Sequence, residues 1–394
     1  MQTAQDTSRD TWRLNRPVSL AAAIAAGGVF APFLTLRQHR LDAGQARTLA
    51  SEWPLLGVAM VLLAILALAC ASSGTARLSR RYGCLVPGVM LVISPWLIAG
   101  LEGSAILSEQ NLDLGRIAPS TGFWFLSLAG VVVIGESFRD LKRWQRTTVT
   151  SGIAVFLVIL FQTGLLNDIA FVQEYLVRQD RFADEVFAHV RIAFMSVGMA
   201  CVVGVPAGIV SYRHEGFRRP VFGVINGLQT IPSLALFGLM IAPLALLSQR
   251  FPVLRQLGIR GVGNTPAVIA LFLYSLLPIV RNTYTSLSVM DRAVIDAGRG
   301  MGMTRGQLLR MVEVPISLPV ILSGVRVASV QTIGNTTVAA LIGAGGLGNF
   351  VFQGLGQAAP DLIVMGVIPI VVLAILVDRF FGLIITYIVP GNRT

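Results

Sequence analysis

The sequence predicts an all-α polytopic membrane protein with about ten transmembrane helices. The chain is 54% hydrophobic and only 13% charged, whereas a soluble domain carries about 25% charged residues. Its mean hydropathy is +0.72. Apolar runs long enough to cross a bilayer recur along the whole chain. They lie near residues 18–36, 53–73, 84–101, 119–136, 149–166, 190–211, 221–247, 265–287, 316–340 and 361–389.

The basic residues indicate the orientation of these spans. The formal net charge is +11, but Lys and Arg fall in short loops between apolar runs, as the positive-inside rule expects. No basic stripe with interleaved aromatic residues occurs, so we predict no nucleic-acid partner. With the N-terminus inside, the cytoplasmic segments carry about twice as many Lys and Arg as the outer ones. The first apolar run is long for a signal peptide and is predicted to be an uncleaved span. Both termini are therefore predicted to be cytoplasmic.

The chain divides near residue 187 into two parts. Residues 1–187 are predicted to form an N-terminal membrane extension of about five transmembrane helices and an outer connector at 171–190. The connector is amphipathic, which favours an interfacial segment over a docking surface for an external protein. Residues 188–394 lack Trp, and bent helices are predicted there because prolines are tolerated in spans that line a cavity. These prolines are Pro206, Pro232, Pro243, Pro278, Pro319 and Pro369.

Motifs for catalysis and for metal or nucleotide binding are missing from the sequence. His214-Glu215 begins a zinc-protease-like motif without the second histidine. The single lysine, Lys142, is not in a phosphate-binding loop, so the chain is predicted not to be an ATPase of that type. The cysteines have no metal-ligand spacing and are interpreted as small buried hydrophobes. We predict no catalytic, cofactor-binding or metal-ligating residue.

Two glycine-rich or charged features within the second part remain informative. The run Gly343–Gly348 follows an apolar helix on the outer side and is interpreted as a turn or helix break rather than a nucleotide site. Arg326 lies near mid-membrane, where a charge indicates a pathway, a gate or a buried pair. A pairing with a neighbouring helix is at least as well supported as contact with a substrate. Arg281, Asp378 and Arg379 lie nearer the inner interface and are interpreted as anchors.

Small polar residues occur inside the seventh and ninth spans. They either line a translocation path or form hydrogen bonds between helices, and the sequence favours neither. Together with Arg326, the candidates for the path or gate are Gln229, Thr230, Pro232, Ser233, Asn335 and Thr336. Three aromatic residues are candidates for cation–π contacts but are interpreted as packing residues: Tyr274, Tyr284 and Phe272.

The segment 290–315 is charged and glycine-rich, although long apolar runs flank it. It is predicted to form two short helices joined by a tight turn. Asp291 caps the first helix, and Gly298, Gly300 and Gly302 interrupt it. Thr304 and Gln307 have the spacing of a capping box that starts the second helix, and Pro315 ends the unit. Such a segment either lies on the membrane surface or docks into a cytoplasmic partner.

The order of residues in this segment resembles a known family. The segment resembles the Glu-Ala-Ala loop of permeases in ATP-binding-cassette (ABC) importers. The matching residues are Asp296-Ala297-Gly298, then Gly302 after three residues, and then 312–315 (VEVP) after nine more. Asp replaces Glu, Gly replaces the second Ala, and Val replaces Ile and Leu. The stretches 226–240, 273–287 and 336–348 are similar to permeases for glycine betaine and related osmoprotectants, such as choline, carnitine and proline betaine. Residues 1–187 resemble the N-terminal membrane extension of some of these importers.

The resemblance implies a five-helix, MetI-like permease core at 188–394 in the bacterial inner membrane. It implies a periplasmic substrate-binding protein, a second permease chain (identical or different) and two cytoplasmic ATPase subunits that use the ATP. A small solute is the substrate, membrane lipid surrounds the chain, and no cofactor is needed. The residues that it assigns to ATPase coupling are Asp296, Ala297, Gly298, Gly302 and Pro315. Two alternatives are an importer permease for another small solute such as methionine and an ATP-independent membrane carrier.

Overall fold

The computed structural model describes residues 15–39, 42–72, 77–109, 115–256 and 258–388. The chain forms two compact units, Met1–Val177 and Arg178–Thr394. The boundary that we predicted after residue 187 lies inside one uninterrupted helix, Gln179–Arg213. Both chain termini, predicted to be cytoplasmic, lie outside the described residues.

The first unit contains seven helices and three short strands within its described residues. In chain order they are α1 (Arg16–Phe30), β1 (Pro32–Arg37), β2 (Gln45–Thr48), α2 (Leu49–Glu52), α3 (Pro54–Ser72), α4 (Arg77–Glu109), β3 (Arg116–Pro119), α5 (Thr121–Ser137), α6 (Arg143–Gln162) and α7 (Ala170–Val177).

The strands are a departure from the predicted all-α class. They form an antiparallel sheet with the order β2-β1-β3. The first span, predicted to reach residue 36, ends at Phe30 because Ala31 is extended. Ala31 precedes Pro32, whose ring disfavours the helical conformation of the residue before it. The apolar residues after Pro32 therefore belong to a strand rather than to the end of a helix.

The core of the first unit includes a cluster of aromatic rings. Phe123 is fully buried, and its ring centroid lies 5.2 Å from that of Trp96 and 5.0 Å from that of Trp124. Both pairs are edge-to-face, the geometry that the ring quadrupoles favour. The same unit contains an ion pair between Arg116 and Glu174, in which Arg116 Nη1 lies 2.6 Å from Glu174 Oε1.

The second unit is helical throughout its described residues. Its elements are α8 (Gln179–Arg213), α9 (Glu215–Thr230), α10 (Ser233–Arg250), α11 (Pro252–Gln256), α12 (Asn264–Ser288), α13 (Arg292–Gly300), α14 (Arg305–Leu308), a π-helical turn (Leu309–Glu313), α15 (Val314–Ala339), a 3-10 turn (Ala340–Ile342), α16 (Gly348–Gly356) and α17 (Pro360–Ile388).

The predicted polytopic helical class is confirmed. Eight helices in the described part of the chain are long and apolar enough to cross a membrane, and α1 and α5 are shorter apolar helices. Each of the ten predicted runs overlaps one of these helices. The run 221–247 is not one helix, because Ile231 is extended before Pro232 and separates α9 from α10.

Helix α12 lies at the centre of the second unit, packed against α8 and α15. Leu271 and Ile279 on α12 are fully buried. Its contact with α15 is close at Gly324, where an added methyl group would lie 2.7 Å from the Pro278 carbonyl oxygen. Small residues at such contacts let membrane helices approach each other.

Candidate functional site

The segment 290–315 begins with a capped helix and a tight turn. The Asp291 side chain accepts a hydrogen bond from the Ala293 N–H at 2.9 Å, so the predicted cap of α13 is confirmed. After α13, Gly302 has φ +78°. Its N–H donates to the Arg299 carbonyl, and the Met303 N–H donates to the Gly298 carbonyl. This pair of bonds is a Schellman motif, which needs a left-handed residue at the position of Gly302.

The second helix of the segment also starts as predicted. The Thr304 hydroxyl accepts from the Gln307 N–H at 3.3 Å, and the Gln307 side chain accepts from the Thr304 N–H at 2.8 Å. The capping box is therefore confirmed. It satisfies N–H groups that have no partner within the helix.

Two of the three glycines predicted to interrupt the first helix do not do so. Gly298 and Gly300 lie inside α13, and Gly302 alone of the three has a positive φ. Gly298 instead lies at a close contact, since a Cβ there would lie 2.5 Å from Leu308 Cδ1 and would force that side chain to shift. Leu308 is 2% exposed. The small residue thus lets α13 pack directly on α14.

Pro315 does not end the unit, contrary to the prediction. It lies in the first turn of α15, where a residue without an N–H is tolerated. The π-helical turn Leu309–Glu313 directly precedes it, and the Val314 N–H donates to the Leu309 carbonyl five residues earlier. A wider turn of this kind often marks a functional position in a helix. The segment 290–315 is therefore continuous with α15.

The exposed face of the segment is mixed in polarity. Asp296 and Ala297 are exposed, and Asp296 Oδ1 lies 3.5 Å from Arg299 Nη1 in an exposed pair. Met301 is 71% exposed, whereas Ile295 and Met303 are half-buried. The segment thus presents an apolar side chain within a charged rim.

Glu313 was not singled out from the sequence, yet it is the most buried charged residue of this region. It is 1% exposed and lies 2.5 Å from Arg213 at the end of α8, measured from Oε2 to Nη2. An acidic residue between apolar positions next to a proline is a signal that could have drawn attention to it. Its partner lies too far away in sequence to be recognised.

The polar residues of the seventh span hold the break between α9 and α10. The Gln229 side-chain amide donates to the Tyr274 carbonyl at 2.7 Å, and the Tyr274 hydroxyl donates to the Ile231 carbonyl. Within α12 the Tyr274 carbonyl would normally bond to the residue four positions later, which is Pro278 and has no N–H. Gln229 therefore supplies the donor that the proline removes.

The remaining residues of the break have local roles. The Thr230 hydroxyl donates to the Gly227 carbonyl at 2.7 Å, Pro232 is the N-cap residue of α10, and Ser233 is its first residue. These contacts do not test whether the residues line a path, which stays a prediction.

We expect Gln229→Leu to destabilise the second unit. The change leaves the buried Tyr274 carbonyl without a donor, which costs about 1–3 kcal/mol. Thermal unfolding of the purified chain in detergent should show a lowered midpoint. Thr230→Val is the matched control, because its hydroxyl is exposed and bonds only within its own helix.

A second variant tests the cause of this loss. Pro278→Ala restores an N–H to α12, so Gln229→Leu combined with Pro278→Ala should lose less stability than Gln229→Leu alone. An unchanged midpoint for Gln229→Leu would show that the amide does not serve the Tyr274 carbonyl.

The charge in the ninth span is paired. Arg326 Nε and Nη2 donate to the two carboxylate oxygens of Asp378, each at 2.6 Å, and so join α15 to α17. Asp378 is thus the partner on a neighbouring helix that was one of the interpretations of Arg326, and its position near the inner interface stays a prediction. Thr336 is fully buried and donates to the Thr332 carbonyl on its own helix, while Asn335 is half-buried.

The glycine run 343–348 forms a turn between α15 and α16, in agreement with its interpretation. Gly343, Gly345 and Gly346 all have positive φ. Glu185 on α8 fixes this turn, since its carboxylate accepts from the Gly346 N–H at 2.6 Å and from Asn349 Nδ2 at 2.7 Å.

Comparison with known proteins decides the family. Residues 200–393 match the family described as the binding-protein-dependent transport system inner membrane component. The osmoprotectant import permease protein OsmW of Salmonella typhimurium is 45% identical over 192 residues, which are 49% of this chain and 84% of that protein. The chain belongs to this family. It is thus a multi-pass inner membrane protein and a permease of the ABC importer type.

Other relatives match this permease over a similar length. The carnitine transport permease protein OpuCB of Listeria monocytogenes is 42% identical over 50% of this chain and 84% of that protein. The choline transport system permease protein OpuBB of Bacillus subtilis is 38% identical over 49% of this chain and 81% of that protein.

The other half of this permease has a match of its own. Residues 13–172 match a family described as the ABC transporter permease YehY, N-terminal domain.

Among solved structures, the inward-facing MetNI methionine ABC transporter is similar with a TM-score of 0.47 and 22% identity, over 54% of this chain and 97% of that chain.

Proposed function

We propose that the chain is the permease subunit of an ATP-driven importer that carries glycine betaine or a related osmoprotectant across the inner membrane. The observation that carries this proposal is the 45% identity to a permease named for osmoprotectant import, over 84% of that protein. The names of the carnitine and choline permeases support the same class of substrate. All three relatives are named as permeases, so the shared role is that of the membrane path.

The division of labour follows from this role. A substrate-binding protein delivers the solute, two permease chains form the path, and separate ATPase subunits hydrolyse ATP, so this chain has no catalytic residue and no cofactor. Residues 188–394 form the permease core, and residues 1–187 form an additional membrane domain. Both termini are cytoplasmic. The composition of the purified complex shows whether the second permease chain is a copy of this one.

The segment 290–315 is the part of this chain that docks on the ATPase. Its exposed Met301 and the charged rim around it suit a protein groove. The Schellman turn at Gly302 and the close packing at Gly298 make it rigid, and its continuity with α15 carries a displacement into the membrane. Closure of the ATPases would then rotate the attached helices as a body between inward-open and outward-open states.

The path itself is proposed to run beside the interrupted helices of the second unit. The break between α9 and α10 leaves Thr230 and Ser233 next to the exposed side of Pro232, and Asn335 on α15 keeps an accessible surface. Gln229 and Arg326 serve the path by fixing the helices around it, since both are bonded to neighbouring helices.

Reconstitution tests the function directly. The chain, its ATPase and its binding protein are placed in liposomes that contain ATP on the ATPase side. Labelled glycine betaine, choline, carnitine and methionine are then supplied with the binding protein. We expect ATP-dependent uptake of at least one of the three quaternary ammonium solutes and not of methionine. Uptake of methionine alone, or uptake by the chain without ATPase or ATP, would contradict the proposal.

We expect Gly302→Val to uncouple ATP hydrolysis from transport while the protein still inserts into the membrane. No atom lies within 4 Å of a Cβ at this position, so the cost comes from the left-handed backbone, about 1–2 kcal/mol for a residue with a side chain. The turn between α13 and α14 should relax to another conformation. Gly306→Val is the control, because Gly306 also has free space around it but lies within α14. Equal solute uptake per ATP for both variants would remove the role of Gly302.

A further inference from the structure

Helices α8 and α15 are joined by an ion pair at one end of the second unit. Glu313 immediately precedes α15 and is 1% exposed, and its carboxylate lies 2.5 Å from the Arg213 guanidinium at the last residue of α8. Glu313 is also the last residue of the π-helical turn that links the segment 290–315 to α15. The ion pair therefore lies where the proposed docking segment meets the first membrane-spanning turn.

The same two helices are joined again at their other ends. His189 on α8 is fully buried, and its Nε2 lies 3.0 Å from the Ile333 carbonyl oxygen of α15. One turn earlier, Glu185 holds the Gly346 N–H and the Asn349 side chain in the turn that follows α15. Residues 185 and 213 are about 42 Å apart along α8 at 1.5 Å per residue. The two sets of contacts thus span the membrane.

Two helices fixed to each other at both ends move together. A displacement of the segment 290–315 reaches α15 directly, but it reaches α8 only through side-chain contacts, because 290–315 and α8 are separated by α9 to α12 in the chain. Among the described residues, the Arg213–Glu313 pair is an ion pair that joins the segment 290–315 directly to α8. A buried ion pair adds little net stability compared with an apolar pair, yet it fixes geometry and is costly to leave half-broken.

We propose that Arg213 and Glu313 are positioning residues that transmit the movement of the segment 290–315 to α8. This role of the pair rests on the proposed function, because the displacement that the pair transmits is produced by the ATPase. Through α8 the displacement reaches Glu185 and the glycine turn at 343–348. Loss of the pair lets the segment follow the ATPase while α8 stays behind, so ATP is hydrolysed without productive transport.

The test compares transport with ATP hydrolysis in the reconstituted complex. The variants are Arg213→Gln, Glu313→Gln and the double variant, in which no buried charge is left without a partner. Glu215→Gln is the matched control, since Glu215 lies two residues after Arg213, is 90% exposed in its side chain and, within the described part of the chain, forms an ion pair with Arg218 alone, at 4.0 Å. The readout is labelled solute imported per ATP hydrolysed, together with the amount of ATPase that copurifies.

All three variants should import about two- to thirtyfold less solute per ATP than the wild type, the range expected for residues that carry coupling between sites. The loss of solute imported per ATP in the double variant should not exceed the combined losses of the two single variants. The control should import as much solute per ATP as the wild type. A merely structural pair would lower assembly and both activities in proportion, so an unchanged ratio overturns the inference. Failure of all three variants to assemble would do the same. Absence of ATP-dependent uptake by the wild type would instead overturn the proposed function.

Discussion

Replacing Gly298 with leucine is expected to abolish ATP-dependent uptake by the reconstituted complex. Gly298 is buried in α13, and even the first carbon of a side chain would lie 2.5 Å from Leu308 Cδ1. Leu308 is 2% exposed, so a leucine at position 298 has to displace a side chain that is itself packed in the protein. Overpacking of this kind costs about 1–3 kcal/mol or more, and separation of α13 from α14 relieves it. The separation changes the shape of the surface proposed to dock on the ATPase.

The size of the effect follows from the affinity of that contact. Each 1.4 kcal/mol lost from binding weakens it about tenfold, so a loss of about 1–3 kcal/mol lowers the affinity about 5- to 140-fold, and less ATPase should copurify with Gly298→Leu than with the wild type. The compensating variant Gly298→Leu/Leu308→Ala restores the volume at the contact and should recover part of the uptake. Full uptake and full ATPase recovery by Gly298→Leu would show that the close packing of α13 on α14 is not needed for coupling.

Arg326→Ala is expected to lower sharply the amount of folded chain recovered from the membrane. Arg326 donates two hydrogen bonds of 2.6 Å to Asp378, and the change leaves that carboxylate alone in a membrane span. An unpaired charge at the centre of a span costs about 2.5–3.5 kcal/mol on insertion scales.

The double variant separates pairing from a direct role in transport. Arg326→Ala/Asp378→Ala leaves no unpaired charge, so it should recover most of the folded protein, measured as the monodisperse fraction in size-exclusion chromatography. If the double variant folds and imports solute, Arg326 acts through the pair. If Arg326→Ala alone folds as well as the wild type, the pair is not the reason for the charge in this span.

Local chemistry explains which features could be predicted from the sequence. The caps at Asp291 and Thr304 depend on residues within one helical turn, so their spacing was sufficient. The ten apolar runs were recognisable because a lipid environment leaves a compositional signal. Gly302 was recognised for the same reason as the caps, since a left-handed turn favours glycine whatever surrounds it.

The errors concern contacts between distant residues. Gly298 was assigned to a break because the packing on Leu308 has no signal in the sequence of α13. Asp378 was not recognised as the partner of Arg326, because the two residues lie 52 positions apart. Gln229 was recognised as a polar residue in a span, but its role depends on Pro278 in another helix. The strand after Pro32 was missed because its residues up to Leu36 continue the apolar run without a charged residue.

The docking of the segment 290–315 on the ATPase is tested most directly by cross-linking. Met301 is 71% exposed and is replaced by cysteine in a chain whose Cys70, Cys84 and Cys201 are changed to alanine. A benzophenone maleimide is attached, and the complex is illuminated. Val262→Cys is the control. Val262 is 59% exposed and lies just before α12, whose 25 residues extend about 37 Å from there towards the segment 290–315.

We expect a covalent adduct between the ATPase and the label at position 301, and none from position 262. The adduct should be lost when Gly298→Leu is added. An active complex that gives no adduct from position 301, or equal adducts from both positions, would contradict the assignment of the segment 290–315 as the docking element.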